Sequence, residues 1–506
     1  MHHGAHLPGR RRTSGSLSAM SKNTDPRGVA SRRVVAIDLG AESCRVSLLR
    51  WDGSSAVLDM LHRFPNHPLE RDGHLYWDLD RICSGVEAGL AICARKARGP
   101  IDSIGVDGWA VDYVWLNEAS APLRDPFCYR DPRTESAQAE LWKRIGPERL
   151  YALTGIQMIR INTLYQLYAD QREQLSTGVR WINLPEYLLH RLGGEAVSEY
   201  TNSTHTQMVE AGSRQWCEEI LNAARLDFRA PASIVPPGTV LGTLQGRLAE
   251  LPEFHSTKLI APACHDTASA VAGIPDDGDD WAFISSGTWS LVGTVLPRAC
   301  LTDAAYRCNF SNEGGLGGTV RFLKNVNGMW LIEECLRAWR EEQVVWDLAA
   351  LVAACRTLDV PRELLAVDDP RLLLSHGMPD RINSVLRDHG HQEISTHPSM
   401  APQFANLIFH SLAHRYAEIL QQVTEVSCKP LRKLFVVGGG SRNAYLNELI
   451  RKRCGIEVLL GSVESSTIGN AAIQMAVLDG SVEPKWGVRP DSVAKWAQTI
   501  AAPVTA

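Results

Sequence analysis

The 506-residue sequence predicts an α/β protein built from two duplicated domains that face each other across a cleft. Three observations carry this reading. The chain is too long for one hydrophobic core, and two domains of roughly 200 residues or more are the natural division. A strand–tight turn–strand unit occurs twice, about 250 residues apart: Val34-Val35-Ala36-Ile37-Asp38-Leu39-Gly40 running on to Val46, and Ala282-Phe283-Ile284-Ser285-Ser286-Gly287 running on to Val292. In both halves short apolar runs alternate with helical patterns, which implies mixed or parallel sheets covered by helices.

The elements follow in order. After the first hairpin, Ile104-Gly105-Val106-Asp107 reads as a buried strand ending in an acid. Residues 137–145 and 164–175 read as helices. Lys258-Leu259-Ile260 reads as a strand, and Asp266 stands where a helix N-cap is expected, before Thr267 to Ala272. The polar stretch Pro275 to Asp280 is the best domain boundary. Beyond the second hairpin, residues 327–340 read as a helix, and a helical region runs through the 340s to the 420s. Leu434-Phe435-Val436-Val437 reads as a buried strand, the Gly438-Gly439-Gly440 loop follows, and 444–454 is helical. A strand over 456–460 and a helix over 466–478 complete the pattern. The tail from Glu483 contains proline and is expected to dock or fray. The expected organisation is an extension over 1–32, an N-terminal domain over 33–274 and a C-terminal domain over 281–490.

Composition narrows the function classes. The chain is 44% apolar and 22% charged, ordinary for a globular protein. No apolar run approaches the ~18 residues that would span a membrane. The first 33 residues carry seven Arg or Lys and one acid, with no apolar periodicity, and read as a disordered extension or an overlong start. The whole chain has 52 basic and 57 acidic residues, net −5; without those 33 residues the counts are 45 and 56, net −11. An acidic body argues against a nucleic-acid surface. The twelve cysteines are scattered, with no C-x-x-C pair and no zinc spacing. They read as small buried hydrophobes in a reducing cytoplasm.

Two glycine-bearing turns can offer backbone N–H groups to phosphates from both sides of a cleft. Asp38 at a strand end can order Mg²⁺ through water; the plain alternative is a turn Asp capping its own backbone. Ser286-Gly287-Thr288 can cradle the transferred phosphoryl group, or be an ordinary hairpin turn. Gly438-Gly439-Gly440 lets a ligand approach the backbone before a helix N-terminus. It matches neither G-x-G-x-x-G nor a Walker loop. Asn443 can cap that helix or help hold a nucleotide. His265-Asp266-Thr267 offers a carboxylate base at a helix start, or an N-cap beside a packed histidine. Trp109 beside Asp107 suits a sugar, stacking one face and hydrogen-bonding hydroxyls, or is a core tryptophan with a turn acid. Arg45 and Asn325 are polar residues among apolar neighbours, structural or ligand-binding.

Taken together, these segments resemble the FGGY carbohydrate kinases of the actin-like (ribonuclease H-like) ATPase superfamily. Further matching segments are Tyr129-Arg130-Asp131-Pro132-Arg133-Thr134, Asn162 to Leu167, Thr201-Asn202-Ser203, Asn309 to Gly315 and Leu323-Lys324-Asn325. The resemblance runs from about Val34 to Leu478 and is greatest to the rhamnulokinase branch. It implies ATP-dependent phosphorylation of a deoxyketose, L-rhamnulose to its 1-phosphate in rhamnose catabolism, with ATP and Mg²⁺. Asp266 is then the general base for the sugar's 1-hydroxyl. Asp107, Trp109, Ala110, His265, Thr267 and Asn325 match the sugar pocket. Ala41, Glu42, Ser43, Cys44, Arg45, Ser286, Gly287, Thr288, Glu333, Gly438, Gly439, Gly440 and Asn443 match ATP-binding positions, and Asp38 the metal position.

There are departures from the family pattern. Cys44 stands for a usual Gly and Glu42 for a common Ser. Ala110 replaces a Gly, narrowing the sugar pocket by a methyl. Glu333 replaces a Gln, adding a charge near ATP. The partners implied are a small-molecule sugar, without nucleic acid or membrane, in a cytoplasmic monomer or homodimer. The rivals are another sugar kinase of the family, acting on L-fuculose, L-xylulose or an autoinducer, and a non-catalytic nucleotide sensor on the same core. The latter needs neither Asp266 nor a sugar pocket.

Overall fold

The computed structural model describes residues 1–2, 31–175, 178–227 and 229–501. Most of the extension expected over 1–32 therefore lies outside the described residues. Two six-stranded sheets form the frame. The first comprises β1 (Arg32–Leu39), β2 (Ser43–Trp51), β3 (Ala56–Pro65), β4 (Ser103–Gly108), β5 (Thr239–Thr243) and β6 (Lys258–Ala261), in the order β5-β6-β4-β1-β2-β3. The second comprises β7 (Trp281–Ser286), β8 (Trp289–Leu296), β9 (Ser311–Gly314), β10 (Val320–Asn327), β11 (Lys433–Val437) and β12 (Glu457–Leu460), in the order β9-β10-β8-β7-β11-β12.

The duplication is visible in the strand directions. In the first sheet β3, β2 and β1 are antiparallel neighbours, and β4 and β6 then run parallel to β1. In the second, β10, β8 and β7 are antiparallel, and β11 and β12 run parallel to β7. Parallel neighbours need crossover connections, and helices supply them. Helix α1 (Leu79–Ala97) connects β3 to β4, capped by Asp78, whose carboxylate accepts from Arg81 N–H. Helix α2 (Asp266–Ala272) follows β6. Helix α3 (Ala401–Ser427) leads into β11, α4 (Ala444–Cys454) joins β11 to β12, and α5 (Ser465–Leu478) follows β12.

Each sheet is buried on both faces. Ile82, Val86, Leu90 and Cys93 of α1 share a core with Val46 and Phe64. The other face of the first sheet, at Val34 and Ala36, is covered by Ile468, Ala471, Ala472 and Met475 of α5, a helix from the C-terminal half of the sequence. Conversely Ala270 of α2 packs with Phe283 and Phe435 of the second sheet. The two helices cross at close range. A Cβ on Gly469 would lie 1.8 Å from Ser269 O, and one on Gly273 would lie 2.3 Å from Ser465 O. Only glycine permits that approach.

The expected tail docks: Pro490–Ala501 is a helix whose Val493 and Ala497 join the core beside α5. All twelve cysteines are free, eight of them buried, so packing rather than cross-linking holds the fold. Among the described residues no helix is long and apolar enough to cross a membrane.

Candidate active site

The parallel strands deliver their carboxyl ends to the cleft, where ligands bind in open α/β sheets. Asp38 and Asp107 are register partners on β1 and β4, and Gly108 bridges to His265 just past β6. On the opposing sheet β7 ends at Ser286 and β11 runs into Gly438. Between them lies a cavity of about 750 Å³. Of the residues singled out in the sequence, it is lined by Asp38, Ala41, Glu42, Ser43, Arg45, Trp109, Ala110, His265, Asp266 and Thr267 from the N-terminal half. Ser286, Gly287, Thr288, Asn325, Glu333, Gly438, Gly439, Gly440 and Asn443 line it from the other half.

Two residues are not brought to the cavity wall. Cys44 is buried among Val46 and Leu48, because successive strand residues point to opposite faces while Ser43 and Arg45 face the cleft. Asp107 is fully buried behind Asp38; one carboxylate oxygen accepts from Asn470 Nδ2 at 2.6 Å, and the other has no hydrogen-bond partner. Burial, and next the charge of Asp38, push its pKa well above the carboxylate range. Asp38 Oδ2 accepts from Arg45 at 2.7 Å and from Ser466 Oγ at 2.5 Å.

Asp266 is the first residue of α2 and His265 occupies the N-cap position, one residue earlier than the sequence suggests. The Asp266 side chain is 35% exposed, toward the cleft. Thr267 Oγ1 donates to Oδ1 at 3.2 Å, and His265 Nε2 lies 3.5 Å away. Loss of water, then the Asp38 charge, raise the Asp266 pKa to about 7. The loop before it is held from behind: Cys264 N–H donates to the Glu199 carboxylate at 2.9 Å. Glu199 is itself raised to about 7 by burial, and the neighbouring Glu186 to about 8 by burial and the Glu199 charge.

On the opposite wall the glycine loop touches the second hairpin. Gly438 has φ +82°, and a Cβ on Gly440 would lie 1.9 Å from Ser286 Oγ. Side chains there would fill the space between the two turns. Asn443 Oδ1 caps α4 by accepting from Leu446 N–H, while its Nδ2 has no partner. Glu42 Oε1 accepts from Thr288 Oγ1 at 3.3 Å across the cleft. Burial, and then the adjoining Glu42 carboxyl, raise the Glu333 pKa to about 9. The substitution that promised an added charge is therefore held neutral.

At the far end Trp109 is turned inward. Its Nε1 donates to Asp112 at 2.9 Å and its ring lies 4.5 Å from that of Trp77, which fix the indole while it still lines the cavity. The neighbouring Val111 has φ +72°, unusual for a β-branched residue. Its carbonyl accepts from Thr163 Oγ1 and Gln166 Nε2, which fix that strained turn at the cavity wall. Asn325 is held by Gln157, which accepts from its backbone N–H at 2.8 Å and from Nδ2 at 3.0 Å.

With this geometry in hand, the relatives are informative. The model of the N-terminal domain of the FGGY family of carbohydrate kinases matches residues 33–273, and that of the C-terminal domain matches 282–478. The chain belongs to this family. A rhamnulokinase from Enterobacter sp. (strain 638) is 38% identical over 454 residues, covering 88% of this chain and 90% of the relative. Solved structures share the fold at low identity. A ligand-bound xylulose kinase from Lactobacillus acidophilus superposes with a TM-score of 0.72 at 14% identity, covering 93% of this chain and 96% of the other. A Plasmodium falciparum glycerol kinase with ADP gives 0.70 at 13%, covering 92% of each.

In this FGGY kinase several residues at the cleft escape a reading by local motif. Ser466 and Asn470 reach Asp38 and Asp107 from a helix more than 350 residues away in sequence. His205, Glu313 and Arg321 form a buried cluster beside His265. The available signal was a charged pair inside otherwise buried strands: Glu313 and Arg321 are direct register partners on β9 and β10.

Proposed function

We propose that this carbohydrate kinase transfers the γ-phosphoryl group of MgATP to the 1-hydroxyl of a deoxyketose, L-rhamnulose. The observation that carries the reading is the position of Asp266. It lines one cavity together with Ala110, His265 and Asn325 and with the paired turns at Ser286–Thr288 and Gly438–Gly440. The 38% identity to a rhamnulokinase across most of both chains supports the choice of sugar.

The residues suit the reactants. Asp266, with its pKa raised to about 7, accepts the hydroxyl proton near neutral pH, where a base of matched strength is most effective. The glycine turns leave backbone N–H groups room to meet phosphate oxygens. Asp38, a carboxylate at the cavity wall whose neighbours Arg45 and Ser466 orient it, suits a cation held through water. Mg²⁺ bound there would supply charge neutralisation for the phosphates. Ala110 and Asn325 border the space left for the sugar, and closure of the cleft would exclude the water that hydrolyses ATP.

The test is ADP release with MgATP and a panel of ketoses that includes L-rhamnulose and L-fuculose, on wild type and Asp266→Asn. Turnover with one ketose, lowered roughly 10²–10⁴-fold in kcat by the substitution, is expected. Near-normal turnover in the variant would remove Asp266 as base. No sugar-dependent ADP from wild type would remove the kinase assignment to a ketose.

A further inference from the structure

The buried cluster beside the base has a chemistry of its own. Glu313 and Arg321 have side-chain exposures of 0% and 1% and approach within 3.2 Å. Arg321 Nε donates to Gly314 O at 2.8 Å, and one terminal nitrogen lies 3.4 Å from Thr201 O. The same nitrogen lies 3.1 Å from His265 Nδ1. A guanidinium stays protonated and has no acceptor. The His265 Nδ1 it meets must therefore present a lone pair. In the neutral ring the single proton then sits on Nε2, which faces Asp266 Oδ1 at 3.5 Å.

The other neighbours agree with this arrangement. His205 stands edge-on to the His265 ring, with centroids 5.1 Å apart. Its Nε2 lies 3.4 Å from Glu313 Oε1, so Glu313 is shared between Arg321 and His205. Glu313 Oε2 is 3.6 Å from His265 Nδ1, farther than the guanidinium. The opposite tautomer would set an N–H against the Arg321 donor and a lone pair against the Asp266 carboxylate. Burial, and then the positive charge of Arg321, hold the His265 pKa well below its ordinary value, so the ring is neutral.

We propose that Arg321 is a positioning residue that fixes His265 with its proton on Nε2, so that His265 presents a hydrogen-bond donor beside Asp266 and cannot compete with it for the sugar's proton. The inference rests on the reading of Asp266 as base. Glu313 offsets the charge of Arg321, which makes a buried guanidinium tolerable at this depth. The donor at Nε2 is directed to an oxygen of the bound sugar or to Asp266 itself, which leaves Asp266 as the member of the pair that takes up the proton.

The decisive measurement is ¹⁵N NMR of wild-type protein labelled at histidine, with the His265 signals identified by their loss in His265→Gln. The expected result is a pyridine-like Nδ1 and a pyrrole-like Nε2 across the neutral range. A protonated Nδ1 would overturn the proposal whatever Asp266→Asn does, so the two readings fail separately. Kinetics give a second arm. Arg321→Met should lower kcat ~10- to 100-fold with KM for ATP unchanged, as expected for a lost charge-assisted hydrogen bond. Arg321→Lys, which keeps a cationic donor, should recover part of that loss. Equal kcat in wild type and a folded Arg321→Met would refute a positioning role. Should that variant not fold, the wild-type spectrum decides alone.

Discussion

A single methyl group at Gly440 should separate the two phosphate-facing turns. Gly440 has no need of positive φ, so Gly440→Ala is conformationally acceptable and the effect is one of contact. The new Cβ would lie 1.9 Å from Ser286 Oγ, 2.6 Å from Ser286 Cβ and 3.3 Å from Ser286 O. The first two distances fall far short of van der Waals contact, so the turns must part by about an ångström. A displacement of that size in a positioning element costs about 100-fold in rate, or ~2.7 kcal/mol at 1.36 kcal/mol per tenfold. The assay is ADP release against ATP concentration at saturating sugar. Removing the obstruction supplies the control. In a Ser286→Ala background the Cβ clash remains and rescue is partial; in Ser286→Gly only the carbonyl contact is left, and Gly440→Ala becomes nearly neutral relative to Ser286→Gly alone. Ser286 Oγ is buried without a hydrogen-bond partner, so its removal costs the fold little. An equal penalty for Gly440→Ala in all three backgrounds, or none in the first, would refute the reasoning.

Three further outcomes are expected. With Asp266 titrating at about 7, kcat/KM for the sugar should fall tenfold per pH unit below neutrality; a flat profile from about pH 5 to pH 8 would contradict its role. Glu199 and Glu186 hold protons in the folded protein that they release on unfolding, since their folded pKa values of about 7 and about 8 lie above the ordinary carboxylate value. Their contribution to stability is thus fully present below the ordinary carboxylate value of 4.5 and is lost as pH rises from there through about 7 and about 8, so the urea midpoint should fall over that interval and level off above it, less steeply in Glu186→Gln. Gly469→Ala should destabilise by about 1–3 kcal/mol in chemical denaturation, because the Cβ meets backbone at Ser269 that cannot move aside. A stabilised variant, as helix propensity alone would give, would show that the crossing is looser than described.

Much of the fold was legible because the repeated hairpin and the strand–helix alternation are local patterns. Residues 444–454 read as a helix and Ala444–Cys454 is one; the two hairpins stand where their apolar runs place them. The candidate site was legible in its loops and less so in its strands. Reading Ala41 to Arg45 as one contiguous binding run ignores the alternation that sends Cys44 into the core. Asp107 reads as a cleft residue until Asn470, distant in sequence, covers it. Trp109 reads as a cleft tryptophan and does line the cavity, but the partners that orient its indole, Asp112 and Trp77, are not visible in the local motif. In each case the deciding partner lies on another element, and a single sequence does not record which elements meet.

The placement of α5 on the first sheet bears on how the chain reaches its native state. Asn470 and Gln474 bond to β1 and β4, and Ile468, Ala471 and Met475 cover Val34 and Ala36. The first sheet is synthesised by Ala261 but its second face is sealed only once Leu478 has emerged. At about 5–20 residues per second, the intervening stretch of some 200 residues leaves that apolar surface open for roughly 10–40 s on the ribosome. The N-terminal half cannot complete its own core, and an isolated fragment ending near Gly273 should expose that face and self-associate. Emergence of α5, rather than completion of the first sheet, is then the moment of commitment to the folded state.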